Sequence, residues 1–251
     1  MRFIIELAIW LVSAFASIYA EELWNAKSAR IMGGIPISIS DAKFVVNIRS
    51  YGNYKCVGSL ITPRHVVTAA HCVFGSWRRS LKVTAGVTFL KETGVQRSIR
   101  RIFIPSAYDR PPLNMDLAVL ELSSAMYGDN ITTIELCNST GQNYYHVYGW
   151  GKTRYAYPSK RLRMVKVPSI SRSKCLKSFK NFNVQITPAM FCAGDLNYRD
   201  ACIGDSGGPA VYQNQLCGVV SWGPECASKI YPGVYTNITH MRNFIENVIR
   251  K

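Results

Sequence analysis

Short apolar or alternating runs, each closed by Gly, Pro, Asn or Ser, constrain what this chain can fold into more than any other feature. "FVVNIRS" (44–50), "GSLITPRHVVTAA" (58–70), "DLAVLEL" (116–122), "HVYGWG" (146–151) and "LCGVVSWG" (216–223) read as strands, because their uninterrupted stretches are short and rich in β-branched residues. The segment "THMRNFIENVIRK" (239–251) departs from this pattern. There Met241, Phe244, Ile245, Val248 and Ile249 recur at helical spacing, with Thr239 or Asn237 available as a cap. Many short strands and one terminal helix predict a barrel or a sandwich. At 251 residues the chain can bury a substantial core, as one large domain or as two subdomains of roughly 100 residues each.

The opening stretch "MRFIIELAIWLVSAFASIYA" reads as a segment outside the fold. A basic residue at Arg2, an apolar run to Ile18 and small residues at Ala16 and Ala20 have the layout of a signal peptide spanning residues 1–20. A membrane anchor is the alternative, but the run is short for a spanning helix and carries Glu6. Secretion changes how the eight cysteines read, because an even count in an oxidising compartment implies disulfides. No pair is spaced C-x-x-C and the four histidines lack ligand spacing beside them, so no metal is expected. Three sequons, at Asn130, Asn138 and Asn237, are glycosylation candidates.

Charge narrows the partners. The formal net charge is +15, and residues 1–30 carry three bases (Arg2, Lys27, Arg30) and three acids (Glu6, Glu21, Glu22), so their removal leaves it unchanged. Basic residues cluster in "SWRRSLK", "QRSIRR", "KTRYAYPSKRLRMVK" and "SRSKCLKSFK". These are either a solvated surface or an exosite for acidic glycans or anionic surfaces. Nucleic acid is not an expected partner, because no DNA- or RNA-binding motif accompanies the charge.

The stretch "DACIGDSGGP" (200–209) poses the chemical question, since Asp, Ser, Gly and Pro also build ordinary turns. A serine hydroxyl is a poor nucleophile unless a base takes its proton and a third group orients that base. "VVTAAHC" supplies His71 at the end of an apolar strand, and "NMDLAVLEL" supplies Asp116 at the start of another. His, then Asp, then Ser is the chymotrypsin-type order. With "TAAHC", "DLAVL", "GDSGGP", "SWG" and "PGVY" all present in that order, the chain resembles a trypsin-like serine endopeptidase of the chymotrypsin family from Ile31 to its terminal helix.

That resemblance implies an all-β fold of two antiparallel six-stranded barrels with a C-terminal helix, and an active site between the barrels. It implies catalytic roles for Ser206 as nucleophile, His71 as general base and then acid, and Asp116 as the group that orients the imidazole. Backbone N–H groups of Gly204 and Ser206 would form the oxyanion hole. "SAR" before "IMGG" resembles an activation site between Arg30 and Ile31, making residues 21–30 a propeptide and residues 31–251 the protease domain. The new α-ammonium of Ile31 would then pair with Asp205, and Met32 stands where the family usually has Val. An activating protease cutting after Arg30 is an implied partner, together with protein or peptide substrates. No cofactor and no oligomer are expected.

Asp200 corresponds to the floor of the primary pocket, where a carboxylate pairs with substrate Arg or Lys. Ala201, Ser221, Trp222, Gly223 and Gly233 correspond to other substrate-binding positions. Ala201 replaces the serine common in trypsins, which removes a hydroxyl that would help solvate a lysine ammonium and predicts Arg over Lys. Other departures are Val57 for a frequent Gly, on the leaving-group side, Ile203 for Gln and Glu225 for Gly at the pocket rim. The resemblance pairs Cys56–Cys72, Cys175–Cys192 and Cys202–Cys226, leaving Cys137 with Cys217. A further family disulfide is lost, with Tyr145 and Tyr212 at its places. The calcium loop is absent as well, since Val87 replaces a ligand carboxylate and Glu92 is the only acid there. Two other functions stay open: a catalytically silent homologue serving as a binding module, which usually lacks one of the three catalytic groups, and a basic adhesion protein.

Overall fold

The computed structural model describes residues 34–139, 141–153, 156–182, 184–195, 204–224, 228 and 230–251. Its strands are β1 (Ile35–Pro36), β2 (Val45–Ser50), β3 (Asn53–Thr62), β4 (His65–Thr68), β5 (Leu81–Ala85), β6 (Val95–Phe103), β7 (Ala118–Leu122), β8 (Glu135–Leu136), β9 (Tyr144–Gly149), β10 (Arg163–Ile170), β11 (Met190–Ala193), β12 (Pro209–Tyr212), β13 (Gln215–Trp222) and β14 (Gly233–Asn237). A short α-helix, Arg172–Ser178, and the terminal α-helix, Ile238–Ile249, accompany the strands.

The strands close into two antiparallel barrels. The first runs β2-β3-β4-β7-β6-β5, and the second runs β10-β11-β14-β13-β12-β9, closed by pairing of β9 with β10. Closure leaves no sheet edge within either ring, so every strand of the two rings finds ladder partners on both sides. β9 shows why these residues choose strands: Tyr145, Val147 and Gly149 are buried while Tyr144, His146 and Tyr148 are partly exposed. Inside the second barrel, Tyr145, Val147, Val165, Val167 and Tyr235 pack together.

The terminal helix buries Ile238, Met241, Ile245 and Val248, one face at helical spacing, against a cluster continuous with the first barrel's core. Asn237 is its cap, accepting a hydrogen bond from the His240 N–H at 3.3 Å. Between the barrels, Trp150 is fully buried among Val45, Val57, Val87 and Leu162, and its indole N–H donates to the Thr88 carbonyl at 3.0 Å. The indole therefore fixes the second barrel on a loop of the first, and the cleft between them stays in register.

Disulfides join Cys56 to Cys72, Cys137 to Cys217 and Cys175 to Cys192. Cys202 and Cys226 lie outside the described residues. Tyr145 and Tyr212 sit on the neighbouring strands β9 and β12. The Tyr212 ring meets Tyr144 edge-on at 5.4 Å, and Tyr145 packs on Phe191 at 4.9 Å, so aromatic contact occupies this part of the barrel. In the loop carrying Val87, the Glu92 carboxylate accepts the Thr88 and Phe89 N–H groups at 2.8 and 3.1 Å. Among the described residues, no helix is long and apolar enough to cross a membrane.

Candidate active site

His71 lies in the one-turn helix Ala70–Cys72 that follows β4, and the Cys56–Cys72 bond ties that turn to β3. Asp116 precedes β7 and is 1% exposed. A carboxylate so buried needs hydrogen-bond donors around it, and three converge. Oδ1 accepts the His71 backbone N–H at 2.9 Å, and Oδ2 accepts His71 Nδ1–H at 2.7 Å and the Ser221 hydroxyl at 2.6 Å. The Asp116 carbonyl also accepts the Thr236 hydroxyl at 2.7 Å. This arrangement fixes the imidazole tautomer with the proton on Nδ1, leaving Nε2 as the basic nitrogen. The His71 side chain is 34% exposed, so it is open on the side away from Asp116.

The chain reaches Asp116 through a strained loop. Asp109, Leu113 and Met115 hold φ values of 61°, 65° and 50°, a region that costs non-glycine residues about 1–3 kcal/mol each. Local bonds offset this cost: Asp109 Oδ1 accepts the Leu113 N–H at 2.8 Å, and Asn114 Oδ1 accepts the Thr187 hydroxyl at 2.7 Å. Tyr108, beside this loop, packs edge-on against Phe74 at 5.3 Å, and burial, reinforced by the charges of Asp116 and Asp109, pushes its phenol up to about 12.

Ser206 sits on the second barrel in the turn before β12, partly buried. Its carbonyl accepts the Val57 N–H at 2.9 Å, a bond that reaches across to the first barrel. No hydrogen bond joins its hydroxyl to His71 among the described residues. Catalytic hydrogen bonds in unliganded sites are commonly long and tighten when substrate binds. The turn depends on two glycines with positive φ, Gly204 at 92° and Gly207 at 78°. A Cβ on Gly204 would come within 2.8 Å of the Tyr157 ring, and one on Gly207 would overlap Thr68 and the Val57 carbonyl. The Tyr54 hydroxyl donates to the Gly204 carbonyl, holding that peptide in one orientation. Burial, with Asp205 nearby, holds the Tyr54 phenol well above its usual value.

Asp205 is 1% exposed, and its Oδ1 accepts the Gly151 N–H at 2.8 Å. Side chains on Gly149 or Gly151 would overlap its carboxylate. These two glycines of "YGWG" were not singled out from sequence, where the stretch reads as an ordinary strand end. A glycine on either side of a tryptophan was the available signal. Val57, expected to bear on the leaving-group side, is 0% exposed and packs beneath the Ser206 turn.

Ser221, grouped with the substrate-binding positions, is buried and spends its hydroxyl on Asp116. Trp222 packs with Phe179, Phe182 and Tyr231, its ring 5.1 Å from that of Phe179. Gly223 faces Gly233 across the ends of β13 and β14, with 3.8 Å between a Cβ position on the first and Cα of the second. Arg30, Ile31, Met32, Asp200, Ala201, Ile203 and Glu225 lie outside the described residues. Of the sequons, Asn130 is exposed, Asn138 accepts from Arg242 at 2.7 Å and Asn237 caps the terminal helix.

Two barrels facing a buried Asp–His pair and a glycine-shaped serine turn are features of a serine protease. The chain belongs to the trypsin family, whose sequence pattern, described as Trypsin, matches residues 31–245. It is 38% identical to Seminase of Drosophila melanogaster over 232 residues, covering 90% of this chain and 84% of that protein. It is 34% identical to Hypodermin-A of Hypoderma lineatum over 250 residues, covering 98% and 97% of the two chains. Trypsin beta of Drosophila erecta is 34% identical over 252 residues, covering 98% and 99%. The protein is a serine endopeptidase.

Proposed function

We propose that the chain is secreted as a zymogen, loses residues 1–20 and then 21–30, and hydrolyses peptide bonds after Arg in preference to Lys. Ser206 attacks the scissile carbonyl as His71 Nε2 takes its proton, and the protonated imidazole then delivers that proton to the leaving amine. Asp116 keeps the proton on Nδ1 and stabilises the imidazolium. Water repeats the sequence to release the acyl group, and the N–H groups of Gly204 and Ser206 bind the oxyanion at each step. The observation that carries this reading is the buried Asp116 carboxylate, which receives both the backbone N–H and Nδ1–H of His71. That double grip orients a base and does little else.

The surroundings of Asp205 support the activation step. Gly34, three residues beyond Ile31, is held by Arg163 Nη2 at 2.6 Å, and Arg163 feels the charge of Asp205. This position supports a route for the Ile31 ammonium into the Asp205 pocket. Pairing there would fix the turn that carries Gly204 and Ser206, and a buried carboxylate deprived of a counter-charge would disorder it.

The test is N-terminal sequencing and kinetics of the purified full chain after trace proteolysis. A new N-terminus at Ile31, appearing together with hydrolysis of Arg substrates faster than Lys and far faster than Phe, is the expected result. Full activity without cleavage at Arg30, or preference for Phe, would overturn the zymogen or the pocket assignment respectively.

A further inference from the structure

The outer face of the first barrel carries cations that catalysis does not use. Arg78 and Arg79 lie in the turn Arg78–Ser80 that leads into β5, and Lys82 is the exposed residue of that strand. Lys82 stands opposite Ser98 of β6, the strand that also carries Arg100 and Arg101. A bulge in the β6–β7 pairing between Ile99 and Arg101 turns both consecutive arginines outward, where they are 60% and 46% exposed. Arg78 reaches across to the same place, its Nη1 donating to the Ile99 carbonyl at 2.6 Å. Among the described residues, the carboxylate paired with this group is Glu121, which is 7% exposed and bonded to Arg100 and Arg101. Trp77, 61% exposed, sits at the start of the row.

We propose that Trp77, Arg78, Arg79, Lys82, Arg100 and Arg101 bind a sulfated polysaccharide. A linear polyanion suits a row of cations along a rigid β surface, and guanidinium groups take sulfate oxygens in paired hydrogen bonds. The exposed indole supplies an apolar face for the C–H side of a sugar ring. An acidic peptide is a poorer match, because β6 is paired on both sides within a closed barrel and offers no edge for strand addition. The site does not depend on Ser206 and binds with or without catalysis.

The experiment measures binding of the activated full-length protease domain to heparin at several NaCl concentrations, with hydrolysis of a small substrate as the control for folding. Arg79→Ser/Lys82→Ser/Trp77→Ala should weaken heparin binding about tenfold or more near 0.15 M NaCl. It should also lower the slope of log affinity against log salt by about 2, one unit for each cation removed. Arg100 and Arg101 are kept, because their loss would strand the buried Glu121 carboxylate. Lys174→Ser/Lys177→Ser, which removes equal charge from the second barrel, should change binding less than twofold. Equal weakening by both variants would mean that heparin reads net charge alone and would overturn the site. Binding of polyglutamate or phosphatidylserine vesicles as tightly as heparin through the same residues would overturn the glycan assignment. A Trp77→Ala single variant that binds heparin unchanged would overturn the sugar contact.

Discussion

The two barrels supply their halves of the cleft by different means. The first contributes side chains: Asp116 buried among donors, and His71 fixed by its backbone and by its ring. The second contributes backbone: the turn around Ser206 is shaped by Gly204 and Gly207, and Asp205 is enclosed by Gly149 and Gly151. A hydrogen-bonded carboxylate loses its role when its own chemistry changes. A glycine-built turn loses its shape when a neighbour gains a single carbon.

The sharpest way to break this contrast is to change the two halves in turn. Asp116→Asn keeps the volume but presents an amide to Nδ1 and permits the wrong tautomer, so kcat should fall about 10⁴-fold with little loss of stability. Steady-state kinetics beside thermal unfolding checks both parts. Gly151→Ala should do the reverse in kind, lowering Tm through overpacking worth about 1–3 kcal/mol while also reducing activity. A Gly151→Ala enzyme with native Tm would mean that the Asp205 enclosure tolerates a side chain. Ser221→Ala is milder, since it removes one of three donors to the Asp116 carboxylate. A cost of about 1–2 kcal/mol predicts a fall in kcat/KM of about 5–30-fold.

The smallest effect is on pH dependence, and it touches both barrels. Burial holds His65 in the first barrel and His146 in the second below the ordinary histidine value, and Lys166 adds to the effect on His146. Each imidazole is therefore more easily protonated in the unfolded chain, so both contribute stability that is complete above about pH 6.5 and lost as pH falls below it. Glu121 acts in the first barrel alone: its hydrogen bond from Arg101 holds the carboxyl below its usual value despite burial. That stability is complete above about pH 4.3 and is lost at lower pH. Urea unfolding across pH 3–8 should show two acid-driven declines, with Glu121→Gln removing the lower one and His146→Gln reducing the upper one.

The same division governs what could be read from sequence. Strands announce themselves through apolar runs between breakers, and each of the five quoted runs holds at least one strand. The terminal helix follows its periodicity, with Met241, Ile245 and Val248 buried as the spacing requires. His71 and Asp116, named from "TAAHC" and "DLAVL", do meet. The contribution of Ser221 was hidden because a serine before a tryptophan at a strand end says nothing about a carboxylate 105 positions earlier. Gly149 and Gly151 were hidden for the same reason: a glycine marks freedom of the backbone or closeness of a neighbour, and sequence does not say which neighbour. Val57 reads from sequence only as a departure on the leaving-group side, and its complete burial stays hidden there because its partner strands are unknown.

The most direct test is the rate at which a fluorophosphonate modifies the protein after cleavage at Arg30, with the modified residue located by mass spectrometry. One equivalent on Ser206, slowed about 10³-fold or more by Asp116→Asn, is the predicted result, because attack needs an imidazole held in the right tautomer. Modification at another residue, or at Ser206 with a rate indifferent to Asp116, would contradict the account.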